Sequence, residues 1–180
     1  MKIKVKCIGI VDYLQNQYTI SEEESKGVKR AKSLATDATS KVDEVVYKDE
    51  DGCYIPDEHF LAAIKFGASK LVKKGATKWT GDFIAGVLIE ENKIRFIPNK
   101  KIWDDIHISH GRRPPRTGGR VAIHRPLFKK GWKAEFTIIV DDDIPKQIVE
   151  SVMEITGHKI GIGDWRPRFG RFDVELKEVR

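Results

Sequence analysis

Apolar and polar residues alternate at both ends of the chain and around residue 138, and each alternation predicts a strand. Residues 2–13 open Lys2-Ile3-Lys4-Val5-Lys6-Cys7 and read as a first strand, with Ile3, Val5, Ile8 and Ile10 toward the core and Cys7 sharing the lysine side. Residues 82–98 read as a hairpin, Phe83 to Ile89 and Lys93 to Pro98 about a turn at Glu90-Glu91-Asn92. Glu135 to Val140 is a further strand, and Phe172-Asp173-Val174-Glu175-Leu176 the last. A helical period appears twice. Phe60, Leu61, Ile64, Ala68, Leu71 and Val72 follow Pro56, Asp57 and Glu58, which suit a helix entry. Ile148, Val149, Val152, Met153 and Ile155 follow Pro145, with Gly157 placed as the C-terminal cap. A weakly apolar helix after Ser21, a loop or mobile insertion over 33–40, an extended piece over 42–47 and a turn at Asp49-Glu50-Asp51-Gly52 fill the region between.

The order strand, helix, two strands, helix, strand predicts an α+β, ferredoxin-like (RRM-like) βαββαβ core in a single domain, residues 1–180. Two stretches stand outside that core: an insertion over 14–53 after the first strand, and one over 99–133.

Composition alters this picture little until charge is placed along the chain. With 180 residues, 40% of them hydrophobic, a core is affordable in size, and 33% charged residues with a net charge of +6 suit either a polyanionic partner or a plain solvated surface. Distribution separates the two. Between Asp105 and Glu135 there is no acidic residue, yet Arg112, Arg113, Arg116, Arg120, Arg125, Lys129, Lys130 and Lys133 all fall there. No apolar run is long enough for a signal peptide or a membrane span, which predicts a cytoplasmic protein without a membrane partner. Cys7 and Cys53 lie far apart without a CxxC, so reduced thiols and no zinc site are expected.

The stretch with the most chemistry is Gly161-Ile162-Gly163-Asp164-Trp165-Arg166-Pro167-Arg168-Phe169-Gly170-Arg171-Phe172. Glycines allow close backbone approach, Arg166, Arg168 and Arg171 suit phosphates, and Trp165 and Phe169 offer faces to bases. The glycines follow a helix and precede a strand, the reverse of a dinucleotide-binding fingerprint, and no GxxxxGK[ST] occurs. A glycine-rich connection with solvated arginines is the plain alternative.

A Gly-Ile-Gly followed by Phe-Gly-Arg-Phe, between the second helix and last strand, resembles the signature of the RAMP superfamily of CRISPR-associated proteins. Val42-Asp43-Glu44-Val45-Val46 through Gly52-Cys53-Tyr54-Ile55-Pro56, running into the Phe60-to-Val72 helix, is similar to the same region of that superfamily's backbone subunits, which bind guide RNA in effector complexes. The resemblance implies a protein that coats a guide RNA in repeated copies or as a filament, alongside other effector subunits. It implies that the glycine-rich loop and first helix face RNA and that 99–133 is a thumb. A stand-alone or virus-encoded relative that coats single-stranded RNA or DNA outside CRISPR fits the same residues. The chain departs from the family at the helix entry, where Pro56-Asp57-Glu58-His59-Phe60 replaces a Pro-Gly-Ser-Ser-Leu-like segment, and in being short.

The nucleic-acid contacts thus expected are Arg112, Arg113, Arg116, Arg120, Arg125, Lys129 and Lys130 from the basic stretch. The loop adds Gly161, Gly163, Trp165, Arg166, Arg168, Phe169, Gly170 and Arg171. The rival is a RAMP-type endoribonuclease. Asp37, with Asp43 nearby, would serve it if magnesium were used, or His124 and His158 as general acid or base without metal. No other cofactor is expected; His107 and His110 lack the further ligands that a metal would need.

Overall fold

The computed structural model describes residues 1–17, 42–73, 75, 77–112 and 120–179, with backbone only at 111, 112, 120 and 121. The architecture is α+β. Strands β1 (Lys2–Gly9), β5 (Val87–Ile89), β9 (Lys133–Val140) and β10 (Phe172–Val179) form one antiparallel sheet in the order β10-β1-β9-β5. Helix α1 (Asp57–Ala68) lies between β1 and β5 in the chain, and α3 (Lys146–Ile155) between β9 and β10.

Period-two patterning makes this sheet two-faced. Ile3, Val5 and Cys7 of β1, with Ala134, Phe136, Ile138 and Val140 of β9, are buried beneath the helices, so Cys7 faces the core and not the lysines. That correction follows from parity, since residues 3, 5 and 7 share a face. Phe60 of α1 packs 4.4 Å from Phe136 and 5.8 Å from Phe172, while Val149, Val152 and Met153 bring α3 onto the same layer. Gly157 does not cap α3. The helix runs on as a π turn (Thr156–Ile160), and a Cβ on Gly157 would fall 2.2 Å from the Phe172 carbonyl oxygen, so glycine is required there for close packing.

Several short elements depart from the predicted pattern. Residues 80–86 are a helix, α2 (Thr80–Gly86), seated by Phe83, and only Val87–Ile89 continue as strand. Residues 93–95 form β6 (Lys93–Arg95), which pairs with β4 (Gly52–Pro56) and not with β5, so the expected 82–98 hairpin is two partners of different sheets. Residues 42–47 begin as a helical turn that buries Val42 and Val46. The turn at Asp49 to Gly52 does link β3 (Lys48–Asp49) to β4. The helix expected after Ser21 and the 33–40 loop lie outside the described residues.

The stretch 99–133 contains an antiparallel hairpin, β7 (Asp105–Arg112) and β8 (Arg120–Phe128), extended by β2 (Tyr13–Leu14). An aromatic cluster fixes its base: Phe96 stacks on Phe128 at 4.4 Å, and Tyr13 lies 5.7 Å from Phe128 and 5.6 Å from Trp132. Buried Gln15 closes the seam, donating from Nε2 to the Tyr54 carbonyl (2.7 Å) and accepting from the Tyr47 amide (3.0 Å). Among the described residues no helix is long and apolar enough to cross a membrane.

Candidate nucleic-acid interface

The loop from Gly161 to Arg171 leaves the π turn at Gly161, whose φ of 72° redirects the chain. Its two ends are tied together, the Ile162 amide donating to the Gly170 carbonyl at 2.9 Å. Both are also tied to the 12–14 segment, through the Asp164 amide to the Leu14 carbonyl (3.0 Å) and the Gly170 amide to the Asp12 carbonyl (2.7 Å). Gly163 and Gly170 have φ of 75°, and a Cβ on either would collide with the Leu14 or Ile162 carbonyl oxygen, at 2.4 and 1.9 Å. The protein itself fills that space. These glycines shape the loop; the space they leave open is not aimed at a ligand.

What the loop presents is its tip. Trp165, 46% exposed, sits at a positive φ of 57°, with Phe169 nearly parallel at 6.2 Å. The hairpin contributes the third ring: His107 meets Trp165 at 5.3 Å and Phe169 at 5.1 Å. Beneath Trp165 lies Arg125, 6% exposed, its guanidinium 5.1 Å from the indole centroid, paired through Nε with Asp164 and donating from Nη1 to Ser109 Oγ at 2.6 Å. Arg125 was placed by sequence among the phosphate contacts. Its guanidinium is buried, with Nε and Nη1 engaged, and it braces the hairpin to the loop.

The remaining cations divide. Arg168 is exposed, over Phe169 at 5.9 Å, and Arg166 lies over Phe66 of α1 at 5.1 Å. Arg171 is half-buried and has an Nε without a partner among the described residues. Lys129 and Lys130 are exposed at the hairpin base, where their backbone amides donate to Asp104 and Asp12. Arg112 and Arg120 face each other at the hairpin's far end; Arg113 and Arg116 lie outside the described residues, as does Asp37.

The histidines do not assemble. His107 and His110 stand three apart on one strand, on opposite faces, and cannot share a metal. His124 is half-buried across from Ile108, its Nδ1 without a partner among the described residues, and His158 pairs with Asp173 at 2.7 Å, both half-exposed. Among the described residues no three His, Cys, Asp or Glu side chains are grouped to hold a metal. His107 and His59 are the site residues that spacing does not reveal. His59 lies 2.9 Å from the Tyr13 hydroxyl and edge-on to Tyr47, and burial, helped by the Arg166 charge, lowers its pKa to about 4. Burial lowers His107 as well, with Arg125 and Arg168 adding to the effect. Both therefore act as neutral rings near pH 7.

The open face of the main sheet is chemically different. Three of its lysines are matched in place, Lys2 with Glu90 (2.7 Å), Lys4 with Glu135 (2.8 Å) and Lys6 with Glu175 (2.8 Å), and the last two pairs line, with Lys177, a depression of about 480 Å³.

No family model matches the sequence, and no curated protein does. Among the solved structures that share the fold are two CRISPR complexes. One chain of the cryo-EM structure of the Type III-B Cmr-beta bound to cognate target RNA aligns with a TM-score of 0.56 and 11% identity, over 98% of this chain and 60% of its own. A chain of the Type IV-B CRISPR Complex aligns with a TM-score of 0.51 and 9% identity, over 100% of this chain and 92% of its own. The protein thus spans three-fifths of the first relative's length.

Proposed function

We propose that the protein is a single-stranded-RNA-binding subunit of a CRISPR-type ribonucleoprotein, built on a ferredoxin-like βαββαβ core with β7–β8 as its thumb. The strand order β10-β1-β9-β5 with α1 and α3 as crossovers supports the core assignment, and the fold shared with chains of two CRISPR complexes supports the setting. One observation carries the binding role: a half-exposed indole, Trp165, over the ion pair of buried Arg125 with part-buried Asp164, with Phe169 nearly parallel to it and Arg168 exposed over Phe169. An aromatic face next to a cation without an ion pair among the described residues, Arg168, is what a base and its phosphate require, and stacking tolerates any base. Assembly in several copies along one strand belongs to the same proposal.

The endoribonuclease alternative has less behind it. His158 is engaged with the Asp173 carboxylate, and His124 lies on the hairpin, apart from it in sequence and element.

The test is a titration of labelled oligouridine by fluorescence anisotropy at several salt concentrations. Trp165→Ala should weaken binding by about 1–3 kcal/mol, roughly 5- to 150-fold, and wild-type affinity should fall linearly with log salt. Undetectable binding at low salt, or cleavage of the RNA, would overturn the assignment.

A further inference from the structure

A second acid-free stretch lies on the opposite shoulder of the loop. From His59 through Gly81 there is no Asp or Glu, and Lys65, Lys70, Lys73, Lys74 and Lys78 fall within it. The open sheet face differs, because three of its lysines, Lys2, Lys4 and Lys6, each have a glutamate at 2.7–2.8 Å. At this shoulder, among the described residues, only Lys73 has an ion pair. It donates to Asp82 at 2.9 Å and lies 4.6 Å over Trp79, bracing the turn closed by the Val72–Lys78 bridge. Lys65, Lys70 and Lys78 are exposed and make no ion pair among the described residues.

A large aromatic accompanies them. Phe66 is 49% exposed on α1, one turn before Lys70, and Arg166 of the loop lies over its ring at 5.1 Å. A phenylalanine on the solvent side of an amphipathic helix is unexplained by the core, which α1 fills with Phe60, Ala63, Ile64 and Ala68. Arg166 thus links two exposed rings, Trp165 as its chain neighbour and Phe66 beneath it, and each ring has unmatched cations beyond.

We infer that the C-terminal shoulder of α1 is a second RNA-contacting surface, on which a strand leaving the Trp165 platform crosses Arg166, stacks a base on Phe66 and lays its phosphates on Lys70 and Lys78. The inference rests on the proposed RNA-binding role and adds a direction to it. A single strand needs alternating flat faces and cations along its length, and this surface continues the loop's own alternation.

The experiment compares wild type, Phe66→Ala and the double variant Lys70→Gln/Lys78→Gln on a short oligouridine, sized for the loop alone, and on a long one. All three positions are solvent-facing, and thermal melting confirms folding of each variant. The wild type should bind the long oligomer more tightly than added non-specific length accounts for. The double variant should lose that gain while keeping short-oligomer affinity, and its slope of log affinity against log salt on the long oligomer should fall by about 1.4, two single-strand phosphate contacts. Phe66→Ala should lose the gain with its salt slope unchanged. Wild-type behaviour of both variants on the long oligomer would overturn this surface while leaving the loop's role intact; no binding of either oligomer by the wild type would overturn both.

Discussion

Replacing Asp164 by Asn removes a negative charge from a surface proposed to bind RNA, which on electrostatics alone should tighten binding. The geometry argues the reverse. Asp164 holds Arg125, Arg125 carries the Trp165 ring, and without the carboxylate the guanidinium is left nearly buried and half-satisfied. Asp164→Asn should therefore weaken RNA binding several-fold with the salt slope unchanged; tighter binding would return Arg125 to the phosphate contacts. His59 bears on stability in a different way. Its folded pKa of about 4 lies below the usual 6.5, so the unfolded chain takes up a proton first as pH falls, and stability present above pH 6.5 is lost progressively toward pH 4. The full loss is on the order of 3 kcal/mol. His59→Gln, which can still accept from Tyr13, should flatten the melting temperature between pH 6.5 and 5 relative to wild type; an unchanged pH profile would show that His59 is not the titrating group. Asp49, held well below the usual carboxylate range by Arg95 and Lys93, acts only at lower pH.

Strand β7 shows why part of the site could not be read from the chain. Its alternation Ile106-His107-Ile108-Ser109 suggests an isoleucine face toward the core, yet Ile108 is 52% exposed and Ser109 is 8% exposed. The polar side turns inward because its partners are polar: Arg125 needs Ser109, and the Trp165–Phe169 pair receives His107. Hydrophobic periodicity has no means of anticipating a strand packed against a loop rather than a sheet. The long strands β1, β9 and β10 and helices α1 and α3 were legible because each buries one regular face. The three-residue β5 and β6 were not, since their pairing is decided by tertiary contacts. Ser109→Ala should leave Arg125 Nη1 without its partner and cost about 1–3 kcal/mol in urea unfolding. Ile108→Ser should stay within about 0.5 kcal/mol of wild type; equal losses at the two positions would mean that β7 presents the other face inward.

At the scale of the whole molecule the question is which of two surfaces meets the strand. RRM-like domains bind RNA on the open face of their sheet, through aromatic residues on the central strands. Here the central strands β1 and β9 carry Lys4, Lys6, Glu135 and Thr137 on that face, without an aromatic, and Lys4 is paired with Glu135 and Lys6 with Glu175 of β10. A lysine already matched by glutamate has little counterion to release, so its removal changes the salt dependence of binding little. Arg168, exposed over Phe169, has no carboxylate partner among the described residues. Lys4→Gln/Lys6→Gln should therefore bind oligouridine as the wild type does, with the same slope against log salt. Arg168→Gln should lower that slope by about 0.7, one phosphate contact on a single strand. A slope lost in the lysine variant and kept in the arginine variant would move the interface to the sheet, and would mean that the ordered pairing of charge there serves the strand and not the fold.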